Sequence, residues 1–335
     1  MQLDLSNGLS RLFVGPKPIN TVLDKVLLQL QDQRRLRMTR KRDGHCHYGV
    51  TMPKGAKLYT RELVDVTKRY PHIVEELNQL RVPAFTLMSM ELFVAPGDCD
   101  SLPAMGKARM LDPVKLSRYL SEVRVEAMLL NVFIEGNVDV THHSHQRRFD
   151  MLHEYVLRSR LAHFRAIEFV DEDLETAQKI VLDRGWEGLV CYDANASTKF
   201  ELHGRFASPP RPVGAWKRKP LFEDDFVARG FVVAKEGKNA GRLKDFKIYQ
   251  YNPAKGNFVY CGHVSLGLSL KQRLEYIDES KYPVVLQVAF DARTSTGKLR
   301  SGRIMHIRDD KLPEECVFPN NSELKLYEGP RKKSK

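Results

Sequence analysis

Lys41 stands in the run Lys41-Arg42-Asp43-Gly44, inside the basic stretch RRLRMTRKRDGHCHYGV. A lysine in such company can act as a nucleophile, because cationic neighbours lower its pKa and the neutral amine is the reactive form. At the ordinary lysine pKa only about one part in 2,500 is neutral at pH 7, a handicap of roughly 4–5 kcal/mol that a site must offset. An Asp-Gly turn in a basic surface hairpin is the other reading of these four residues. The cluster Thr141-His142-His143-Ser144-His145 has metal-binding residue types. No cysteine or carboxylate completes a tetrahedral set there, so it reads as a hydrophilic loop. The five cysteines never form a CxxC, which speaks against a disulfide framework or a thiolate zinc site and suits a reducing compartment.

Further motifs follow Lys41 in a set order. Leu58-Tyr59-Thr60-Arg61 comes first, then Glu91 in MSMELFV and Phe133 in NVF. Glu187-Gly188-Leu189-Val190, Gly204-Arg205, Trp216-Lys217-Arg218-Lys219 and Arg308-Asp309-Asp310-Lys311 complete the series. In this order, from Lys41 to Lys311, the chain resembles the covalent nucleotidyltransferase superfamily, and within it the ATP-dependent DNA ligases. The resemblance implies that Lys41 attacks the α-phosphate of ATP and carries AMP as a phosphoramidate. It also implies Lys217 and Lys219 at the α-phosphate, Glu91 and Glu187 at a divalent metal (Mg²⁺ or Mn²⁺), and Phe133 stacked on adenine. Arg61 would hold a phosphate or the ribose. Arg308 and Lys311, with Asp310, would orient the outgoing pyrophosphate. AMP would then pass to the 5′-phosphate of nicked duplex DNA, where the 3′-hydroxyl displaces it.

The pattern has departures. The family's K-x-D-G-x-R has Cys46 in place of its arginine, which shifts that load to Arg61 or Arg42; Arg42, Arg61 and Arg205 are the expected DNA contacts. Thr39 stands where relatives often have the glutamate that reads the adenine amino group. Cys191-Tyr192 replaces a lysine after EGLV. The competing enzyme readings are an RNA ligase and a GTP-using capping-type nucleotidyltransferase; the non-enzyme one is a nucleic-acid-binding module that has lost catalysis.

The elements that must position these residues are α+β. TVLDKVLLQLQ (21–31), RELVDVTKRY (61–70, interrupted or restarted at Pro71), HQRRFDMLHEYVLR and DEDLETAQKIVLDRG predict helices. HYGVTM, AFTLMSMELFV (84–94), AMLLNVFIEG (127–136) and GLVCYD predict strands, and GDCDSLPAMGKARMLDP (97–113) a polar surface loop. Prolines 209, 210, 212 and 220 mark a break. Beyond it, five short strands and one helix (KQRLEYIDE) fit a small OB-type β-barrel. The expected layout is a nucleotidyltransferase domain of antiparallel sheets and helices at 1–221, an OB-fold at 222–329 and a disordered basic tail at 330–335. Only about 40 residues precede Lys41, which suggests a minimal two-domain monomer. The net charge of +12 favours polyanionic partners such as DNA, with salt-sensitive binding, although solubility alone also accounts for it. The absence of a long apolar run or secretory leader predicts an intracellular protein without a membrane span.

Overall fold

The computed structural model describes residues 18–19, 24–95, 100–197, 214–265, 267–294, 296–320 and 324. Arg205, Cys99, the prolines at 209–212 and the tail 330–335 lie outside them. The described residues form two compact units that part between Arg218 and Lys219, three residues before the position suggested by sequence. No helix among the described residues is long and apolar enough to cross a membrane.

In the first unit the chain runs α1 (Asp24–Asp32), β1 (Leu36–Arg40), β2 (His45–Val50), β3 (Lys57–Thr60), α2 (Pro71–Gln79) and β4 (Leu87–Val94). It continues through α3 (Leu102–Met110), α4 (Pro113–Glu122), β5 (Val125–Glu135), β6 (Val138–Asp139), α5 (His145–Ser159) and β7 (Phe164–Arg165), and ends with α6 (Leu174–Arg184), β8 (Leu189–Asp193) and β9 (Ala215–Arg218). Two sheets result. The smaller is antiparallel in the order β1-β8-β9; the larger runs β3-β2-β4-β5-β6, with β7 parallel to β5. Helices α2 to α5 pack on one face of the larger sheet through Ile73, Leu77, Met105, Leu116 and Leu152 against Met90, Leu92 and Leu129. Helices α1 and α6 cover the smaller sheet through Leu27, Leu30, Ala177 and Val181. Asp173 caps α6, accepting from Thr176 N at 2.8 Å, and Gly185 ends it at φ +60°, where glycine alone is unstrained.

Two expectations fail here. Residues 61–70 are not helical: Val66 N donates to the Leu58 carbonyl and Thr60 N to the Val64 carbonyl, both at 2.9 Å, Leu63 takes φ +61°, and Asp65 accepts from Thr67 N at 2.9 Å. The helix starts at Pro71, which lacks an N–H to leave unpaired and pushes Tyr70 out of the helical region. The polar stretch before Pro113 is not a plain loop either. Ser101 caps α3, whose Met105 and Ala108 enter the core, and Arg69 Nη2 donates to the carbonyls of Ala108, Arg109 and Leu111 at its C-terminal end. Pro103 sits in the first turn, where it costs no hydrogen bond.

The second unit holds β10 (Phe222–Val233), β11 (Leu243–Asn252), β12 (Asn257–Val264), α7 (Leu270–Glu275), β13 (Val284–Phe290), the hairpin β14 (Ala292–Arg293) and β15 (Leu299–Arg300), and β16 (Arg303–Arg308). Five strands form an antiparallel sheet in the order β12-β11-β10-β13-β16. Among the described residues no ladder joins β12 to β16, so the sheet is not a closed barrel. Inside it lies the buried guanidinium of Arg293, between the rings of Phe226 and Phe290, donating to Gln250 Oε1 at 2.8 Å and Asp224 Oδ2 at 2.7 Å. A buried charge is tolerable only with such partners.

Candidate active site

Lys41 follows the last residue of β1, and its N–H donates to the carbonyl of Gly188 at 2.9 Å. Lys41–Gly44 thus carries the chain from the smaller sheet into β2 of the larger one. Asp100 fixes this crossing: its carboxylate accepts from Arg40 at 3.1 Å, Arg42 at 2.7 Å and the backbone N–H of Asp43 at 2.8 Å. Arg42 also donates to Glu168 at 2.5 Å and lies over the Phe93 ring, so its guanidinium is engaged within the fold. A Cβ on Gly44 would stand 2.2 Å from the carbonyl oxygen of Leu92 on β4, so glycine alone fits the close approach of backbones there.

A cleft of about 740 Å³ opens between the two sheets of this unit. Thr39, Lys41, Arg61, Glu91, Phe133, Glu187 and Lys217 all line it. In register across the smaller sheet, Thr39 pairs with Val190 and Val190 with Lys217, which places Thr39 and Lys217 on one face. The Lys41 ammonium is paired with Glu187. Glu91 is pushed up to about 7, chiefly by burial, with Glu187 and Asp43 adding to the rise and Lys41 and Arg61 opposing it. Two carboxylates beside a cleft suit a hard cation that completes its shell with phosphate and water. Among the described residues no cluster of three or more His, Cys, Asp or Glu side chains is arranged to hold a metal by itself. Arg61 reaches Cys46, with which it shares a hydrogen bond. Phe133 packs edge-on to Tyr48, ring centroids 6.5 Å apart, in a small apolar cluster at the cleft wall. Against β4, β5 has register shifts at Leu130 and Phe133, and Leu130, Asn131 and Phe133 all reach the cleft.

The model of the ATP dependent DNA ligase domain matches residues 17–205, more than half of the chain. The chain belongs to this ligase-domain family. Among curated relatives it is 28% identical over 293 residues to the DNA ligase of Thermococcus fumicolans, covering 77% of this chain and 49% of that one. To a probable DNA ligase of Kineococcus radiotolerans it is 26% identical over 336 residues, covering 91% and 57%. The chain therefore spans about half the length of these relatives. Among solved structures, a Lig E DNA ligase aligns with TM-score 0.61 at 17% identity, covering 88% of this chain and 99% of that one. The ligase domain of M. tuberculosis LigD aligns with TM-score 0.50 at 17% identity, covering 91% and 98%. At such identities the likeness is one of fold, a mixed helix-and-sheet architecture.

The remaining expected residues of this ligase-family chain lie in the second unit. Lys219, just past β9, donates to Asp291 at 2.8 Å. Arg308 donates twice to Asp310 at 2.7 Å, and Lys311 donates to Asp225 at 2.6 Å. Asp225 also stands 3.6 Å from Arg308. Sequence reasoning missed Asp100, Glu168 and Asp225, all distant in sequence from the cations they hold, and it missed Asn131.

It also missed the last histidine of the 141–145 run. Ser144 caps α5, and His145 is buried, its Nδ1 3.1 Å from the carbonyl oxygen of Asp193. Burial, with Arg148 nearby, lowers its pKa to about 4. The folded state then binds fewer protons than the unfolded one between about 4 and 6.5. Its stabilising share is complete above 6.5 and is lost as pH falls towards 4. Between pH 7 and pH 5 the wild type should lose about 2 kcal/mol more stability than a His145→Asn variant. Urea midpoints at the two pH values measure this; equal losses would remove the assignment.

Proposed function

We propose that this chain seals nicks in duplex DNA, joining a 3′-hydroxyl to a 5′-phosphate at the expense of ATP. The observation that carries this reading is the convergence of Lys41, Glu91, Glu187, Arg61, Phe133 and Lys217 on one cleft. In the first step Lys41 Nζ forms a bond to the α-phosphorus while the bond to pyrophosphate breaks. Lys41 must first leave its pairing with Glu187 and pass its proton to solvent, because a protonated amine has no lone pair to give. Lys217 neutralises the α-phosphate oxygens, joined in our reading by Lys219. Phe133 packs on the adenine and Arg61 holds the ribose or the nick phosphate. AMP then passes to a 5′-phosphate oxygen, and the 3′-oxygen displaces it in line.

A magnesium or manganese ion fits Glu91 and Glu187, where it would shield charge on the phosphates. We read the second unit as an OB-fold, and Arg308 and Lys311 as the cations that orient pyrophosphate. For either to meet a phosphate, the carboxylate of Asp225 or Asp310 must be exchanged for it. DNA contacts are assigned to Arg61, Arg205 and the surplus of positive charge. Arg42, held by Asp100 and Glu168, acts in positioning the loop.

Intact-mass analysis after incubation with ATP and Mg²⁺ tests the reading. One AMP should appear on the Lys41 peptide and be discharged by nicked DNA. An adduct on another residue, or none with any nucleotide, would overturn it.

A further inference from the structure

Asn131 sits on β5 two residues before Phe133 and lines the same cleft, opposite Ser89 in the ladder with β4. Its Oδ1 is buried and has no hydrogen-bond partner among the described residues. Buried acceptors in folded proteins are nearly always satisfied, so this one calls for an explanation. Two other polar side chains of the cleft are already engaged. The Thr39 hydroxyl donates to the carbonyl of Val190 at 3.3 Å and shares a hydrogen bond with Tyr192, and the His145 ring is held at the Asp193 carbonyl.

We propose that Asn131 selects adenine: Oδ1 accepts from the exocyclic 6-amino group and Nδ2 donates to N7, while Phe133 packs against the ring. This rests on the ligase reading above and assigns the base recognition that Thr39, its hydroxyl turned to Val190, does not supply. An asparagine amide matches the amino–N7 edge of adenine with two hydrogen bonds. Guanine presents two acceptors at that edge, O6 and N7. It would leave Oδ1 facing an oxygen, and a site built to hydrogen-bond one partner rejects another that leaves its polar groups unpaired.

The test is the rate of covalent nucleotide transfer to the full chain from ATP, GTP and 7-deaza-ATP, which lacks the N7 acceptor. The wild type should prefer ATP to both. Asn131→Ala should lower the ATP-to-GTP preference by about 10–100-fold and remove the penalty on 7-deaza-ATP. Asn131→Asp keeps the acceptor and should still exclude GTP. Because each result is a ratio within one protein, a partly folded preparation does not distort it, and Asn131→Ser serves if the alanine variant does not fold. An unchanged preference in the alanine or serine variant overturns the inference alone. A wild type that takes up no nucleotide overturns the ligase reading and this inference with it.

Discussion

Lys41→Ala should lose adenylation by about 10⁴-fold or more, because in the proposed mechanism Lys41 alone forms the covalent intermediate. Among the described residues the one other lysine lining the cleft is Lys217, which sits on β9, a different strand of the smaller sheet. Lys41→Arg should be as inactive, since a guanidinium keeps its proton while still offering Glu187 a positive partner. The fold should survive both changes. The Lys41–Glu187 pair is partly open to solvent on each side, and such pairs contribute about 1 kcal/mol or less. A nick that already bears AMP on its 5′-phosphate bypasses the lysine, so the alanine variant should still join it. Label transfer from ATP to the alanine variant, or equal failure on both nicks, would contradict the assignment.

Asp100→Ala should be the most destabilising single change near the site, at about 3–5 kcal/mol. Asp100 is almost wholly buried and answers two guanidinium groups and a backbone N–H at once. Removing it strands Arg40 and Arg42 as buried like charges. Arg42 keeps Glu168 and the Phe93 face, and Arg40 keeps the Trp186 ring, which limits the damage to a loosened fold. Adenylation should fall as well, since Asp43 loses the acceptor that holds the residues beside Lys41. Asp100→Asn, which retains one acceptor oxygen, should fall between the two. Urea unfolding decides the point: a shift below about 1 kcal/mol in the alanine variant would mean that Asp100 does not anchor the loop.

What could be read from the chain beforehand was local. Lys41–Gly44 and the helices α5 and α6 announce themselves through residue type, periodicity and caps, all carried by neighbours in sequence. The register that sets Thr39 opposite Val190 and Val190 opposite Lys217 leaves no such trace. Residues 61–70 misled because helix-compatible spacing was overridden by Pro71 and by pairing back onto β3. The stretch 97–113 misled in the other direction, its two glycines and two prolines hiding two core residues, Met105 and Ala108. Arg42 was read as a DNA contact, and its engagement within the fold was hidden because Asp100 and Glu168 are separated from it by long spans of chain. Asn131 was passed over as an ordinary strand residue, since irregular pairing along β5 cannot be read from the strand's composition.

The three-stranded ladder of β1, β8 and β9 has a bearing on how freely this gene can vary. Thr39 and Lys217 are spaced by backbone hydrogen bonds, so their separation is a property of adjoining strands and owes nothing to the length of chain between them. Loops in that interval can grow, shrink or be replaced without moving one residue relative to the other. A one-residue slip of β8 would turn its own cleft-lining side chains, Val190 and Tyr192, to the opposite face. Tolerance of insertions and intolerance of slippage are thus two sides of one constraint.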